Sequence, residues 1–147
     1  MAAATFDATN QIPQGHQQHS RRVEYHYRVD FNTHGDGTGL AATESMAIGM
    51  LPAGYVHERL DPVLRTAEGT AATLDVGTEA DVDCFGDGLN MNGTANARIA
   101  LAGTEAATPG TYHHTATEIR VLTPSGAATL DDAIVDLTFV GYLRPTT

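Results

Sequence analysis

Tryptophan and lysine are absent from this 147-residue chain, cysteine occurs once, and aromatic side chains make up only 6% of it. The single cysteine, Cys84, excludes an intrachain disulfide. Its acidic neighbours disfavour a thiolate, so it reads as an incidental or buried thiol rather than a nucleophile. With no lysine, all eight basic residues are arginine, set against 18 Asp and Glu for a net charge of −10. Such a chain lacks the basic face that displaces counterions from nucleic acid or holds to an anionic membrane surface; neither is expected as a partner. No run approaches the roughly 20 apolar residues of a membrane helix. The opening "MAAATFDATNQIPQGHQQHSRR" lacks the apolar core of a secretory signal, which predicts a soluble protein made in a cytoplasm.

What is present suits one domain, since a chain of this length can enclose a real core. The core materials are thin, because much of the 41% hydrophobic content is alanine, which buries little area. Self-association is therefore expected to supply extra burial. Residues 1–21 are polar, rich in Ala, Thr and Gln, and read as an extended N-terminal arm; residues 22–147 read as the folded domain.

The clearest element is "RVEYHYRVDF". Val23, Tyr25, Tyr27, Val29 and Phe31 fall on one face and Arg22, Glu24, His26, Arg28 and Asp30 on the other. Strict alternation of aromatic and β-branched residues with charged ones predicts a half-buried strand. Weaker strands follow. "ESMAIGML" places Met46, Ile48 and Met50 together, and "YVHERLDPVLRT" carries Pro62, which confines it to an edge or bulged strand. "AATLDVG", "ARIAL" and "EIRVL" alternate around Leu74 and Val76, Ile99, and Ile119 and Val121. "AIVDLTFVGYL" has apolar residues on both faces and predicts a strand buried on two sides. "TEADVDCFGDGL" has room for one helical turn. Seven or eight short strands separated by Gly, Pro, Asn and Asp predict an all-β, single-domain antiparallel sandwich or barrel.

Candidate sites are sparse. Asp81, Asp83 and Asp87 lie in a glycine-containing acidic stretch, Asp81–Asp87, with the flavour of a calcium loop. Counted from Asp81, however, the fifth position is Phe85, which offers no oxygen ligand, and the twelfth is Asn92, where an EF-hand requires Glu. The stretch is expected to be a solvated loop closing a strand. His16 and His19 are three apart, and His113 and His114 adjacent; in an extended segment the latter pair would point to opposite faces. His16, His19, His113 and His114 are read as surface residues and His26 as exposed or part of an interface, and no metal or cofactor is expected. Ser20, Ser45 and Ser125 sit in no nucleophile motif, so no catalytic residues are assigned.

The stretch "LPAGYVHERLDPVLRTAEGTAATLDVGTEADVDCF", together with "VEYHYRVDF", resembles small virion proteins of tailed bacteriophages. In that group a strand leads to "LPAG", then a second strand, an "ATLDVGT" phrase and an acidic loop. The resemblance spans roughly Val23 to Tyr142 and is sharpest from Leu51 to Asp83. It implies a jelly-roll-like β-sandwich that binds the outside of the phage head as a decoration, or cement, protein. It further implies the major capsid protein as partner, a homodimer or homotrimer, and a place on the capsid exterior. The alternative is a receptor- or glycan-binding module of a phage fibre or tail. Glycan sites display exposed aromatics, whereas Tyr25 and Tyr27 belong to a core face and Tyr55, Tyr112 and Tyr142 are scattered.

Overall fold

The computed structural model describes residues 21–33, 39–101, 113, 115–124 and 126–144. The eight strands among them are β1 (Arg21–Asp30), β2 (Ser45–Leu51), β3 (Tyr55–Thr66), β4 (Thr73–Gly77), β5 (Gly86–Asn90), β6 (Ala97–Arg98), β7 (Thr117–Leu122) and β8 (Ile134–Leu143). They form two antiparallel four-stranded sheets, in the orders β1-β8-β3-β6 and β2-β7-β4-β5. Apart from the β4–β5 hairpin, every connection changes sheet. Two sheets wound in this alternating way are a jelly roll, the β-sandwich expected from the sequence. The arm predicted for 1–21 lies outside the described residues except for Arg21, which opens β1.

The inner faces carry the core. Val29, Leu60, Leu64, Leu74, Val76, Ile119, Val121, Val135, Leu137 and Phe139 are all fully or almost fully buried. β1 keeps the predicted alternation, but its inner face is uniformly buried only at Val29 and Phe31; Val23, Tyr25 and Tyr27 are half-buried. β1 is the outermost strand of its sheet, so among the described residues no further strand covers their far side.

Bulges account for the places where simple alternation fails. In β2 the register against β7 shifts between Ala47 and Gly49. Met46 and Ile48 therefore face inward, but Leu51 takes the next buried place and Met50 turns out to 51% exposure. The expected inward grouping of Met46, Ile48 and Met50 is corrected at Met50, because an extra residue reverses the parity beyond it. In β3 a bulge at Glu58 carries the buried face from Tyr55 and His57 to Leu60.

Pro62 sits inside β3 opposite Leu137, yet its carbonyl accepts from the Ile99 amide at 2.9 Å, on the β6 side. A strand residue points its N–H and C=O the same way, so the missing donor also faces β6. That strand is only two residues long, and no bond to β8 is lost.

The predicted helical turn does not form. Residues 78–85 make bends and a turn at Val82–Asp83, and the short strand β5, unforeseen because glycine fills two of its five positions, pairs with β4. β8 is buried on both faces only at its Phe139–Gly141 end, while Tyr142 is 37% exposed. There Tyr55 lies across Gly141, and a Cβ on Gly141 would strike both that ring and the Val56 carbonyl.

Candidate functional site

The outer face of the β1-β8-β3-β6 sheet gathers most of the arginines. Arg28 on β1 grips Asp136 on β8 through two bonds of 2.7 and 2.8 Å, and Arg65 on β3 reaches the same carboxylate at 2.7 Å. The Arg28 hydrogen bond, then that of Arg65, holds the Asp136 carboxyl down at about 2 despite partial desolvation. Asp61 is shared in the same way by Arg59 at 3.0 Å and Arg98 at 2.5 Å. Arg22 and Arg59 both reach Glu58, at 2.9 and 3.2 Å. Alternation placed these residues on one face, and cross-strand register brought opposite charges together. Solvent screens such exposed pairs, so the network shapes the surface more than it stabilises the fold.

Beneath this sheet lies a layer that the sequence did not reveal. His57 is 1% exposed and sits against Phe85, with ring centroids 4.8 Å apart, and near Tyr55 and Phe139. Its Nδ1 is 2.9 Å from the Tyr55 hydroxyl. Burial, followed by the neighbouring His113, pushes its pKa down to about 4. His113, expected at the surface, is instead half-buried, tilted over Tyr55 and Phe85. Its backbone bonds Tyr55 and Gly54 at 2.9 and 2.8 Å, its Nδ1 lies 3.2 Å from the Thr117 hydroxyl, and its buried Nε2 has no hydrogen-bond partner among the described residues. Burial lowers its pKa as well. The reading of His113 as a surface residue fails because its backbone pairs with the start of β3, which draws the ring over Tyr55. His57 had a detectable signal: apolar Tyr55 and Leu60 can share a face only across a bulge, and such a bulge turns His57 inward. Tyr55, read as one of a scattered set, is fully buried. His26 is exposed and lies 2.9 Å from Thr138.

The acidic stretch behaves mainly as a hairpin connection. Thr78 and Asp81 close it through the Thr78 amide to the Asp81 carbonyl at 2.8 Å and the Asp81 amide to the Thr78 hydroxyl at 3.1 Å. The hydrogen bond with Asp81 raises the Asp83 pKa, with desolvation second. Asp75 is buried on β4 and accepts the Gly88 amide at 2.8 Å; burial raises its pKa against that bond. Cys84 is half-buried, and burial, then the charge of Asp81, pushes its thiol up to about 11. Asp81, Asp83 and Asp87 do not converge on one point. Among the described residues, the carboxylates that do are Glu68, Asp131 and Asp132, with oxygens within 4.8 Å of one another. Glu68 is 4% exposed, and its Oε2 accepts the amides of Asp131, Asp132 and Ala133 at 3.2, 3.1 and 3.0 Å. Desolvation and the Asp131 side chain raise its pKa, while the three amides pull the other way. It fastens the β3–β4 connection to the start of β8. His16, His19, Ser20, Tyr112, His114 and Ser125 lie outside the described residues; Ser45 opens β2 and takes a 3.0 Å bond from Arg120.

No protein-family model and no curated protein sequence matches the chain. Solved structures do. A chain of the cyanophage Pam1 capsid asymmetric unit superposes with a TM-score of 0.60 at 19% identity, over 86% of this chain and 87% of that one. The folding pattern is one found in phage capsids. A chain of the acidic stable capsid structure of Helicobacter pylori bacteriophage KHP30 matches with a TM-score of 0.53 at 12% identity, over 86% of this chain and 94% of that one. At these identities the likeness is one of fold, and it extends along nearly the whole length of all three chains.

Proposed function

We propose that this chain is a structural protein of a phage virion, and more narrowly a decoration protein that cements the outside of the capsid. The observation that carries the reading is the jelly roll shared over 86% of the chain with chains of two phage capsids. The resemblance from Leu51 to Asp83 supports the narrower role. In this reading the protein is made in the host cytoplasm, binds the major capsid protein, associates with itself, and has no enzymatic activity. The chemistry fits a passive role. The interior histidines lie against the Tyr55 and Thr117 hydroxyls with no carboxylate to orient them among the described residues, and the arginines of the outer face are engaged with acids. Residues 1–20 would form the arm of a two-part chain and reach a neighbouring subunit, gaining contact area at the entropic cost of being ordered.

Sedimentation with undecorated phage particles tests the reading. Stoichiometric, symmetry-matched recovery of the protein with particles, and a rise in the temperature at which they burst, are expected. Failure to bind any particle over a range of salt would overturn it. Deleting residues 1–20 should leave the sandwich folded by circular dichroism and weaken particle binding. Binding at full strength would remove the arm from the proposal.

A further inference from the structure

β1 is a ten-residue strand at the end of its sheet, paired with β8 without any register shift. Among the described residues nothing pairs with its outer edge. It has no proline, no bulge and no lysine to keep such an edge from accepting another strand; its protection is the charge of Arg22, Glu24, Arg28 and Asp30, which a partner of matching pattern would complement.

The direction of its backbone groups follows from one bond. The Phe31 amide donates to Ala133 at 3.0 Å, so the odd-numbered residues turn their N–H and C=O toward β8. Arg22, Glu24, His26 and Arg28 therefore turn theirs to the open edge. The same strand leaves Val23, Tyr25 and Tyr27 half-buried on its inner face, where a further strand would cover them.

The charges on the edge-facing residues select a partner. Read from Arg22 in steps of two, they run Arg, Glu, His, Arg, Asp. Laid antiparallel on a copy of itself, with His26 opposite His26, the strand sets Glu24 against Arg28 and, at its ends, the Arg22 side chain against Asp30, whose carbonyl and Oδ1 already accept the Thr33 and Asn32 amides. Moving the two-fold point by one residue either way opposes Arg22 with Arg28, or Glu24 with Asp30. Moving it by two opposes Glu24 with Glu24, or Arg28 with Arg28. Like charges directly opposite one another are destabilising, so one register is favoured. In it the inner faces also match, Val23 meeting Val29 and Tyr25 meeting Tyr27 in the closer, non-hydrogen-bonded pairs. Arg28 binds Asp136 through Nε and Nη2, and among the described residues its Nη1 is left for a second carboxylate.

We propose that β1 pairs antiparallel with β1 of a second copy about a two-fold axis at His26, joining two four-stranded sheets into one of eight strands. This deepens, and rests on, the self-association proposed above.

The test uses the full chain in sedimentation velocity and oxidative crosslinking, with Cys84→Ser as background. The wild type is expected to dimerise. His26→Pro removes an amide that faces the open edge and not β8, so it should abolish the dimer, leave the circular dichroism spectrum unchanged and remove the dependence of the melting temperature on protein concentration. His26→Cys should crosslink to its own copy, whereas Glu24→Cys, opposite Arg28, should not; this crosslink reads the register even if His26→Pro fails to fold. A wild type that stays monomeric up to its solubility limit overturns both this interface and self-association. An oligomer that survives His26→Pro without a His26→Cys crosslink overturns the interface and leaves self-association standing. If deleting residues 1–20 creates a dimer absent from the full chain, the arm occupies the edge and the proposal fails.

Discussion

Acid should loosen this protein through His57. In the fold His57 is buried, and its pKa falls from 6.5 to about 4. The unfolded chain therefore takes up a proton near pH 6.5 that the folded protein refuses until about pH 4. Between those values the unfolded state binds more protons, so stability rises with pH and is lost as pH falls. At about 1.4 kcal/mol per pH unit the loss through His57 amounts to about 3 kcal/mol, levelling off below pH 4. For a chain of this length that is about 10 °C in Tm. His113, lowered in the same direction, adds to the loss in the same window. The raised carboxyls of Glu68, Asp75 and Asp83 act with the opposite sign, because the folded state holds their protons more tightly as pH falls. Asp136, held at about 2, loses its contribution only at more acid pH. These effects cancel when wild type and His57→Phe are compared. The variant orphans the Tyr55 hydroxyl and lowers stability at neutral pH, but the decline between pH 6.5 and 4 should flatten by about 3 kcal/mol, so the two curves converge toward pH 4. Urea unfolding at a series of pH values reads the difference directly. Parallel curves for the two proteins would refute the assignment of a buried neutral His57.

Tyr27→Ala should cost about 2–3 kcal/mol, less than the ~3–5 of a fully buried ring, because Tyr27 is half-buried although it packs on Phe139 and donates to the Met50 carbonyl; urea unfolding at pH 7 measures it. Gly141→Ala should destabilise more than Gly49→Ala in parallel thermal melts. The new Cβ meets the Val56 backbone in the first case and only the Tyr27 ring, which can shift, in the second. Glu68→Ala leaves three amides without their acceptor and should cost about 3–5 kcal/mol, with Glu68→Gln milder because it keeps one carbonyl oxygen. A chelator should leave the melting temperature of the wild type unchanged, since those amides already occupy Glu68 Oε2; a drop of several degrees reversed by calcium would show that Glu68, Asp131 and Asp132 hold a metal.

Much of the fold was legible along the chain, because a strand's alternation is a local property. "RVEYHYRVDF" determined which side of β1 faces inward, and "EIRVL" and "DLTFV" did the same for β7 and β8. Proline and glycine marked the breaks, and the absence of any long 3.6-residue period determined the all-β class. Composition determined the acidity, the lack of a disulfide and the reliance on arginine. The tertiary structure decided everything that depends on pairing between distant residues. β1 meets β8 across more than a hundred positions, with Arg21 opposite Leu143, and only that register sets Arg28 beside Asp136. Bulges in β2 and β3 reversed the facing of Met50 and turned His57 into the core. They arise where two strands must match in length and twist, a demand that neither strand's own sequence contains. The same holds for His113 and Glu68. Each is polar and unremarkable along the chain, and each was buried because backbone from another part of the fold supplied the packing or hydrogen bonds that make burial affordable.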